Sequence, residues 1–252
     1  MNKTVFLKKP QTLSKKEFTY CPGCHHGIVH RLIAEVIDEL GIREKTIVVA
    51  PVGCSVFAYE FFDLDGTVAP HGRAPAVATG MKRARPDMHV FTYQGDGDLA
   101  AIGTAEIIHA ANRGENITVF FVNNAIYGMT GGQMAPTTIP GMKTSTSPYG
   151  RDEQDIGYPI AACELLDSLR APYYIERVSL LSPQDIIKAK RAVLKALKYN
   201  KENRGFTFIE FVSTCPTNWG MTPLDAMKWA KENMYPFFPV NLFRDKGAEG
   251  GK

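Results

Sequence analysis

Residues 90–133, VFTYQGDGDLAAIGTAEIIHAANRGENITVFFVNNAIYGMTGGQ, constrain the fold more than any other part of the chain. An apolar run ending at Tyr93 meets a glycine turn, Gly95-Asp96-Gly97-Asp98. A helix-forming stretch over 99–112 follows, then a second apolar run over 117–122 and the pair Asn123-Asn124. This order predicts a parallel βαβ unit, whose two turns lie at the carboxyl ends of neighbouring strands, where open α/β sheets bind ligands. Asp96 and Asn124, 28 positions apart, then face one small volume. A carboxylate and an amide oxygen beside glycine backbone suit Mg²⁺ carrying a diphosphate. That ion takes only one or two protein carboxylates and completes its octahedron with phosphate oxygens and water.

The same turn also fits the dinucleotide fingerprint G-x-G-x-x-A, ending at Ala100. Two features oppose that reading. Asp96 and Asp98 bring carboxylates to the place where a bare pyrophosphate sits, and the repulsion is costly without a cation. A dinucleotide site also wants an acid at the end of the second strand to hold the ribose. Asn123-Asn124 stands there, and the nearest acid, Glu115, precedes the strand. A metal-bound diphosphate removes the first difficulty and uses the second feature. In that reading Gly97 lets backbone N–H groups approach phosphate. The helix after it points its positive end at the diphosphate. Asp98 is either the N-cap of that helix or a further group at the cofactor.

Elsewhere the pattern alternates helices and short strands. Helices are expected over 27–40, closed by Gly41, then over 55–62, 74–84 ahead of Pro86, 160–169, 183–199 and 225–234. Strands are expected over 46–50, 173–178 and 206–212, and a Thr-, Pro- and Gly-rich loop over 134–152. A loop of that length in a compact domain is usually functional. The predicted fold class is α/β: a three-layer parallel sheet with helices on both faces, of the kind that binds a diphosphate. Residues 1–19 read as an N-terminal surface arm, 20–235 as one cofactor-binding domain and 236–252 as a C-terminal tail.

The five cysteines divide by context. Cys163 lies in a helical apolar pattern and reads as core. Cys21 and Cys24 form a C-x-x-C, while Cys54 and Cys215 each end a strand-like run in turn-forming sequence. Four such thiols suit a [4Fe-4S] cluster and equally a structural zinc. The spacing does not choose between them, and a thioredoxin-like pair is disfavoured because no clear strand precedes Cys21. His26 and His30 stand at i, i+4, but no acidic third ligand accompanies them, so ordinary packing is the simpler reading. Lys188, Lys190, Arg191, Lys195 and Lys198 read as the wet face of a helix.

A net charge of +3 over 252 residues, with no dense Lys/Arg stripe among aromatics, gives no reason to expect nucleic acid. No run of about 18 apolar residues is present, so no membrane span is expected. A signal peptide is not visible either, and the expected compartment is the cytoplasm.

The stretch Asn124-Ala125-Ile126-Tyr127-Gly128-Met129-Thr130-Gly131-Gly132-Gln133 resembles the β subunit of the 2-oxoacid:ferredoxin oxidoreductases, and G-D-G followed by N-N is similar to the thiamine diphosphate fingerprint. Cys21-Pro22-Gly23-Cys24, Gly53-Cys54-Ser55, His71-Gly72-Arg73 and Cys215-Pro216-Thr217 extend the likeness from Tyr20 to about Asp225. The resemblance implies Mg²⁺ on the Asp96 and Asn124 side chains and the Ile126 carbonyl, and a [4Fe-4S] cluster on Cys21, Cys24, Cys54 and Cys215. It places Gly53, Cys54, Ser55, His71, Gly72, Arg73, Gly95, Gly97, Asp98, Tyr127, Gly128, Met129 and Thr130 at the cofactor. His71 and Arg73 would bind phosphate or a substrate carboxylate, and Met129 would either wall the cofactor rings or pack in the core. The family shows Gly where His25 stands, which leaves His25 without an implied role.

The implied reaction is oxidative decarboxylation of a 2-oxoacid, with the acyl group passing to coenzyme A and two electrons leaving singly through a cluster to ferredoxin. Zinc has no redox chemistry and would not serve. Overall likeness leans to the 2-oxoglutarate and branched-chain group over pyruvate. Thiamine activation needs a glutamate from a separate pyrimidine-binding domain, for which this chain has no room. An α subunit carrying that glutamate is expected as partner, together with small ferredoxin-like subunits. The competing functions are a non-redox thiamine decarboxylase or synthase subunit holding zinc, and a dinucleotide-binding regulatory module.

Overall fold

The computed structural model of the chain describes residues 8–249. Its elements in chain order are α1 (His26–Leu40), β1 (Thr46–Ala50), α2 (Ala58–Phe61), β2 (Asp65–Val68), α3 (Ala74–Ala84), β3 (His89–Gly95), α4 (Thr104–Asn112) and β4 (Thr118–Asn123). They continue with α5 (Glu153–Ile156), α6 (Ala162–Asp167), β5 (Tyr174–Ser179), α7 (Pro183–Lys201), β6 (Thr207–Val212), α8 (Pro216–Trp219), α9 (Pro223–Trp229), β7 (Asn241–Asp245) and α10 (Lys246–Glu249). The strands form one sheet in the order β2-β1-β3-β4-β6-β5-β7. All neighbours run parallel except β7, which is antiparallel to β5.

Strand periodicity sorts the core into two faces. Val48, Phe91, Tyr93, Phe120, Val122, Ile209 and Phe211 pack under α1 and α7. Val49, Val90, Val119, Phe121, Ile175 and Phe208 pack under α3, α4 and α6. The central strands β4 and β6 are buried at every position, as expected of parallel strands covered on both sides. Each such Phe or Ile removed from water contributes about 1.5–3 kcal/mol. The predicted three-layer α/β class is the observed one, and α3 and β1 occupy the predicted spans.

Four expectations change. The helix expected over 99–112 is broken: a wide π-type turn over Gly97–Ile102 precedes α4, with Gly103 between them. A Cβ on Gly103 would stand 2.2 Å from the Asp98 carbonyl and 2.8 Å from that of Gly72, so only glycine lets the Gly72 turn pack here. Strand β2 was not expected, being short, polar and at the sheet edge. The tail is not an appendage, because β7 closes the sheet against β5. Nor is the arm merely surface: Leu13 is buried and bridges to Phe62, and Thr12 donates to Asp38. The part of the arm at 1–7, and 250–252 of the tail, lie outside the described residues.

Strands β1, β3, β4 and β6 are adjacent, parallel and in register, so the segments leaving Ala50, Gly95, Asn123 and Val212 emerge on one rim.

Candidate cofactor and cluster site

A cavity of about 300 Å³ opens at that rim. Gly53, Cys54, Ser55, His71, Gly95, Asp96, Gly97, Asp98, Asn124, Ile126, Tyr127, Gly128, Met129 and Thr130 all line it. Of the cofactor-binding residues expected from sequence, only Gly72 and Arg73 are missing from the lining. Gly72 turns its N–H to Asp98 instead (2.7 Å). Arg73 pairs with Glu106 at 2.6 Å and donates to the Ile102 carbonyl, so it braces the turn against α4.

Asp96 is the charged centre of the cavity wall. It is buried, yet among the described residues no cation reaches it. Its carboxylate accepts from the Asn124 and Ile126 N–H groups at 3.3 and 3.1 Å, and from Thr137 Oγ1 at 2.6 Å. Burial outweighs these three donors and pushes its pKa up to about 7. A buried carboxylate surrounded only by neutral donors is a seat for a cation. Asn124 and Ile126 belong to the loop whose N–H groups face it, and a carboxylate, an amide oxygen and a backbone carbonyl are the donor types a hard cation takes.

Asp98 does not cap the following helix. Its oxygens accept from the Gly72 N–H, from Gln94 Nε2 at 2.6 Å and from His71 Nδ1 at 2.8 Å. It therefore fixes the imidazole of His71, which lines the cavity while Asp98 is fully buried. Gly97 makes room for the Tyr127 ring, since a Cβ there would stand 3.0 Å from Cε1. Met129 is 46% exposed at the lip, a wall residue rather than core.

Of the four candidate cluster cysteines, Cys54 and Cys215 lie against this loop, and Cys21 and Cys24 are near enough to feel their charge. A Cβ on Gly128 would be 3.4 Å from the Cys215 sulfur and 3.5 Å from that of Cys54, so both flank this glycine. The Cys24 N–H donates to the Cys21 carbonyl in a tight turn. Burial pushes the Cys24 thiol up to about 12 and Cys54 up to about 11, and each is raised further by the charges of Cys215 and Cys21. The thiols of Cys24, Cys54 and Cys215 thus resist ionisation, and a bound metal would supply the missing positive charge. Among the described residues no three His, Cys, Asp or Glu side chains converge on a point as the ligands of a single ion do. A four-iron cluster holds each thiolate on a separate iron, so its sulfurs surround a volume and need not converge. Cys163 is fully buried in α6 against Glu210, as core.

The i, i+4 histidines pack against tyrosines, and His26 also lines the cavity. His26 Nδ1 meets the Tyr93 hydroxyl at 2.6 Å and His30 Nε2 meets that of Tyr20 at 2.9 Å. Burial holds His26 down at about 3 and His30 well below its ordinary value, so both are neutral. Glu115 pairs with Arg83 and Arg113 before β4, far from any ribose position at the rim.

Sequence reasoning missed three residues. Thr137 comes from the 134–152 loop, and only that loop's length hints at it. Arg151 holds the loop by donating to the carbonyls of Pro136, Thr138, Gly157 and Tyr158. Asn218 Nδ2 donates to Cys215 Sγ at 3.2 Å and to the Gly128 carbonyl at 3.0 Å, tying the sulfur to the cavity loop.

Residues 51–211 match the thiamine pyrophosphate enzyme, C-terminal TPP binding domain family. The chain is 55% identical over 230 residues to ketoisovalerate oxidoreductase subunit VorA of Methanothermobacter thermautotrophicus, covering 91% of this chain and 48% of that one. It is 39% identical to 2-oxoglutarate synthase subunit KorB of Archaeoglobus fulgidus, covering 85% and 76%. The chain belongs to the thiamine diphosphate-binding subunits of the 2-oxoacid:ferredoxin oxidoreductases. It spans about half the length of the ketoisovalerate relatives it matches. A solved 2-oxoglutarate:ferredoxin oxidoreductase from Magnetococcus marinus, with 2-oxoglutarate, coenzyme A and succinyl-CoA bound, superposes with a TM-score of 0.77 at 29% identity, over 95% of this chain and 85% of that chain. A 4-hydroxybenzoylformate decarboxylase from Rhodococcus jostii, 18% identical with a TM-score of 0.51 over 79% of this chain and 34% of that one, shares the fold. Family membership excludes the dinucleotide-binding alternative. Among the described residues no helix is long and apolar enough to cross a membrane.

Proposed function

We propose that this chain is the cofactor-holding β subunit of an enzyme converting a branched-chain 2-oxoacid and coenzyme A to acyl-CoA and CO₂, with two electrons passed to ferredoxin. The observation that carries the proposal is the shared loop: the Asn124 and Ile126 N–H groups face Asp96, and two residues on, Gly128 lies against the sulfurs of Cys54 and Cys215. A site where carbon chemistry and an electron outlet adjoin suits oxidative decarboxylation. Identity of 55% to ketoisovalerate subunits against 39% to a 2-oxoglutarate subunit favours the branched-chain substrate.

In this reading Asp96, Asn124 and the Ile126 carbonyl hold Mg²⁺, and the N–H groups opening the Gly97 turn receive the diphosphate. Thiamine diphosphate, when bound, supplies the carbanion that attacks the 2-oxo carbon and the electron sink for loss of CO₂. Ser55 and Met129 wall that space, and His71, held by Asp98, presents its other ring nitrogen to the substrate carboxylate or phosphate. Arg73, tied to Glu106, acts by keeping the His71 turn in place. Cys21, Cys24, Cys54 and Cys215 hold the [4Fe-4S] cluster that accepts electrons one at a time. An α subunit supplies the activating glutamate and covers the apolar rim at Val52, Ile102 and Met129, which are exposed here. Small ferredoxin-like subunits and a cytoplasmic location complete the reading.

The test is the complex purified anaerobically with its partner. Reduction of a viologen dye should require a branched-chain 2-oxoacid and coenzyme A together, and 2-oxoglutarate should be a poorer substrate. Dye reduction independent of coenzyme A, or decarboxylation with no dye reduction at all, contradicts the proposal.

A further inference from the structure

Behind the metal-side loop lies a buried ion pair. Arg177 on β5 and Glu210 on β6 are register partners, and both side chains are fully buried. Arg177 Nε stands 2.9 Å from Glu210 Oε2, out of line for a hydrogen bond, so this contact is ionic. The rest of the guanidinium goes to Glu164 on α6 and to the Pro239 carbonyl. The rings of Phe238 and Phe243 lie 5.5 and 5.1 Å from it, so the C-terminal segment completes an apolar case around the charge.

Stability does not account for such a pair. Its desolvation typically cancels the attraction, and apolar residues of like volume do as well. What the pair does is hold an oxygen still. Glu210 Oε1 accepts from Asn123 Nδ2 at 2.8 Å. Asn123 Oδ1 in turn accepts from the Ala125 N–H at 3.2 Å, and Thr138 Oγ1 donates to the Ala125 carbonyl at 2.6 Å. Ala125 has φ of 59° and is one of two non-glycine residues with positive φ among the described residues. That left-handed conformation is disfavoured by its Cβ and persists only where neighbours impose it. It sits between Asn124 and Ile126, two of the three proposed metal ligands, and the reversal there lets both turn their N–H groups to Asp96.

We propose that Asn123, locked by the Glu210–Arg177 pair, is a positioning residue that holds Ala125 left-handed and so aims the Asn124 amide and Ile126 carbonyl at the metal. The proposal rests on the Mg²⁺–thiamine diphosphate reading. Without the latch, Ala125 relaxes to an ordinary conformation, and the peptide planes on both sides rotate away from Asp96. Glycine at 125 has no Cβ to oppose the turn and needs no latch.

The test uses the cofactor-stripped complex with thiamine diphosphate added and Mn²⁺ as the metal probe, bound ion being read by electron paramagnetic resonance. Asn123→Ala should weaken Mn²⁺ binding about tenfold, the equivalent of the left-handed cost. The double variant Asn123→Ala with Ala125→Gly should return to within about threefold of the unaltered complex. General damage to the fold would not be repaired by adding a glycine. Where Asn123→Ala fails to fold, Asn123→Ser, which reaches neither partner, is measured with the same expectations. Unchanged Mn²⁺ binding in the single variant, or no recovery in the double variant, overturns the latch. An unaltered complex that binds no Mn²⁺ with thiamine diphosphate overturns the metal reading and the latch with it.

Discussion

Replacing Asp96 by Asn should separate function from stability. In the cofactor-free protein, burial raises the pKa of this carboxyl from the ordinary 3.8 to about 7. Holding it ionised at pH 8 therefore costs about 4 kcal/mol relative to the unfolded chain. Asn keeps the shape and one acceptor oxygen and carries no charge. Its amide nitrogen then faces either the Ile126 or the Asn124 N–H, leaving one buried donor without an acceptor, at about 1–3 kcal/mol. Thr137 can reverse its hydroxyl and lose nothing. The relief exceeds the loss, so cofactor-stripped Asp96→Asn should be about 1–3 kcal/mol more stable than the unaltered protein at pH 8. The same variant should gain nothing from Mg²⁺ and thiamine diphosphate, whereas the unaltered protein should be stabilised by both together. Urea denaturation with and without the two ligands reads each quantity. A stripped Asp96→Asn protein that is less stable, or that is still stabilised by Mg²⁺ with thiamine diphosphate, refutes the reasoning.

The same geometry sets other outcomes. His25, at about 4, His26, at about 3, and His30, held well below its ordinary value by burial, stay neutral in the fold but protonate in the unfolded chain below pH 6.5. Each removes about 1.4 kcal/mol per pH unit on acidification, while Asp96 opposes them by a like amount below its raised pKa. Between pH 6 and 5 these groups should together remove about 3 kcal/mol from the metal-free protein, read from urea midpoints; rising stability would show these imidazoles to be solvated. Gly103→Ala should cost about 3 kcal/mol or more, because its Cβ would meet backbone oxygens of Asp98 and Gly72, and denaturation checks it. Asn218→Leu removes the N–H donated to the Cys215 sulfur, so the cluster potential should fall in a redox titration followed by electron paramagnetic resonance. An unchanged potential would mean the amide serves only the Gly128 carbonyl.

Much of the sheet is legible in the chain, because strands buried on both faces, such as Thr118–Asn123, read as unbroken apolar runs bounded by turn residues. Edge strands do not. Asp65–Val68 carries two polar residues and a glycine, and is a strand only because Gly66 lets its backbone pass against Val48. Asn241–Asp245 has no alternation of apolar and polar residues, so nothing in its side chains marks a strand. The break at Gly103 is likewise hidden, since its cause is a turn at Gly72, distant in sequence. At the rim, the placing of Asp96, Asn124, Cys54 and Cys215 is legible because strand ends in a parallel sheet share one edge. Where a neighbour's oxygen decides the role, the sequence is silent. Asp98 fits a helix cap by its position in the chain, yet its oxygens are taken by His71, Gly72 and Gln94. Arg73 looks available and is held by Glu106.

The central claim is that a Mg²⁺–thiamine diphosphate site and a four-cysteine iron–sulfur site adjoin across one loop of this chain. Anaerobic co-purification with the partner, followed by quantification of thiamine diphosphate, iron and zinc, tests it most directly. The expected result is a brown protein with one thiamine diphosphate and about four irons bound through this chain, the iron being lost in a Cys54→Ser variant. A colourless protein carrying zinc on these cysteines, or one with no thiamine diphosphate, would contradict it.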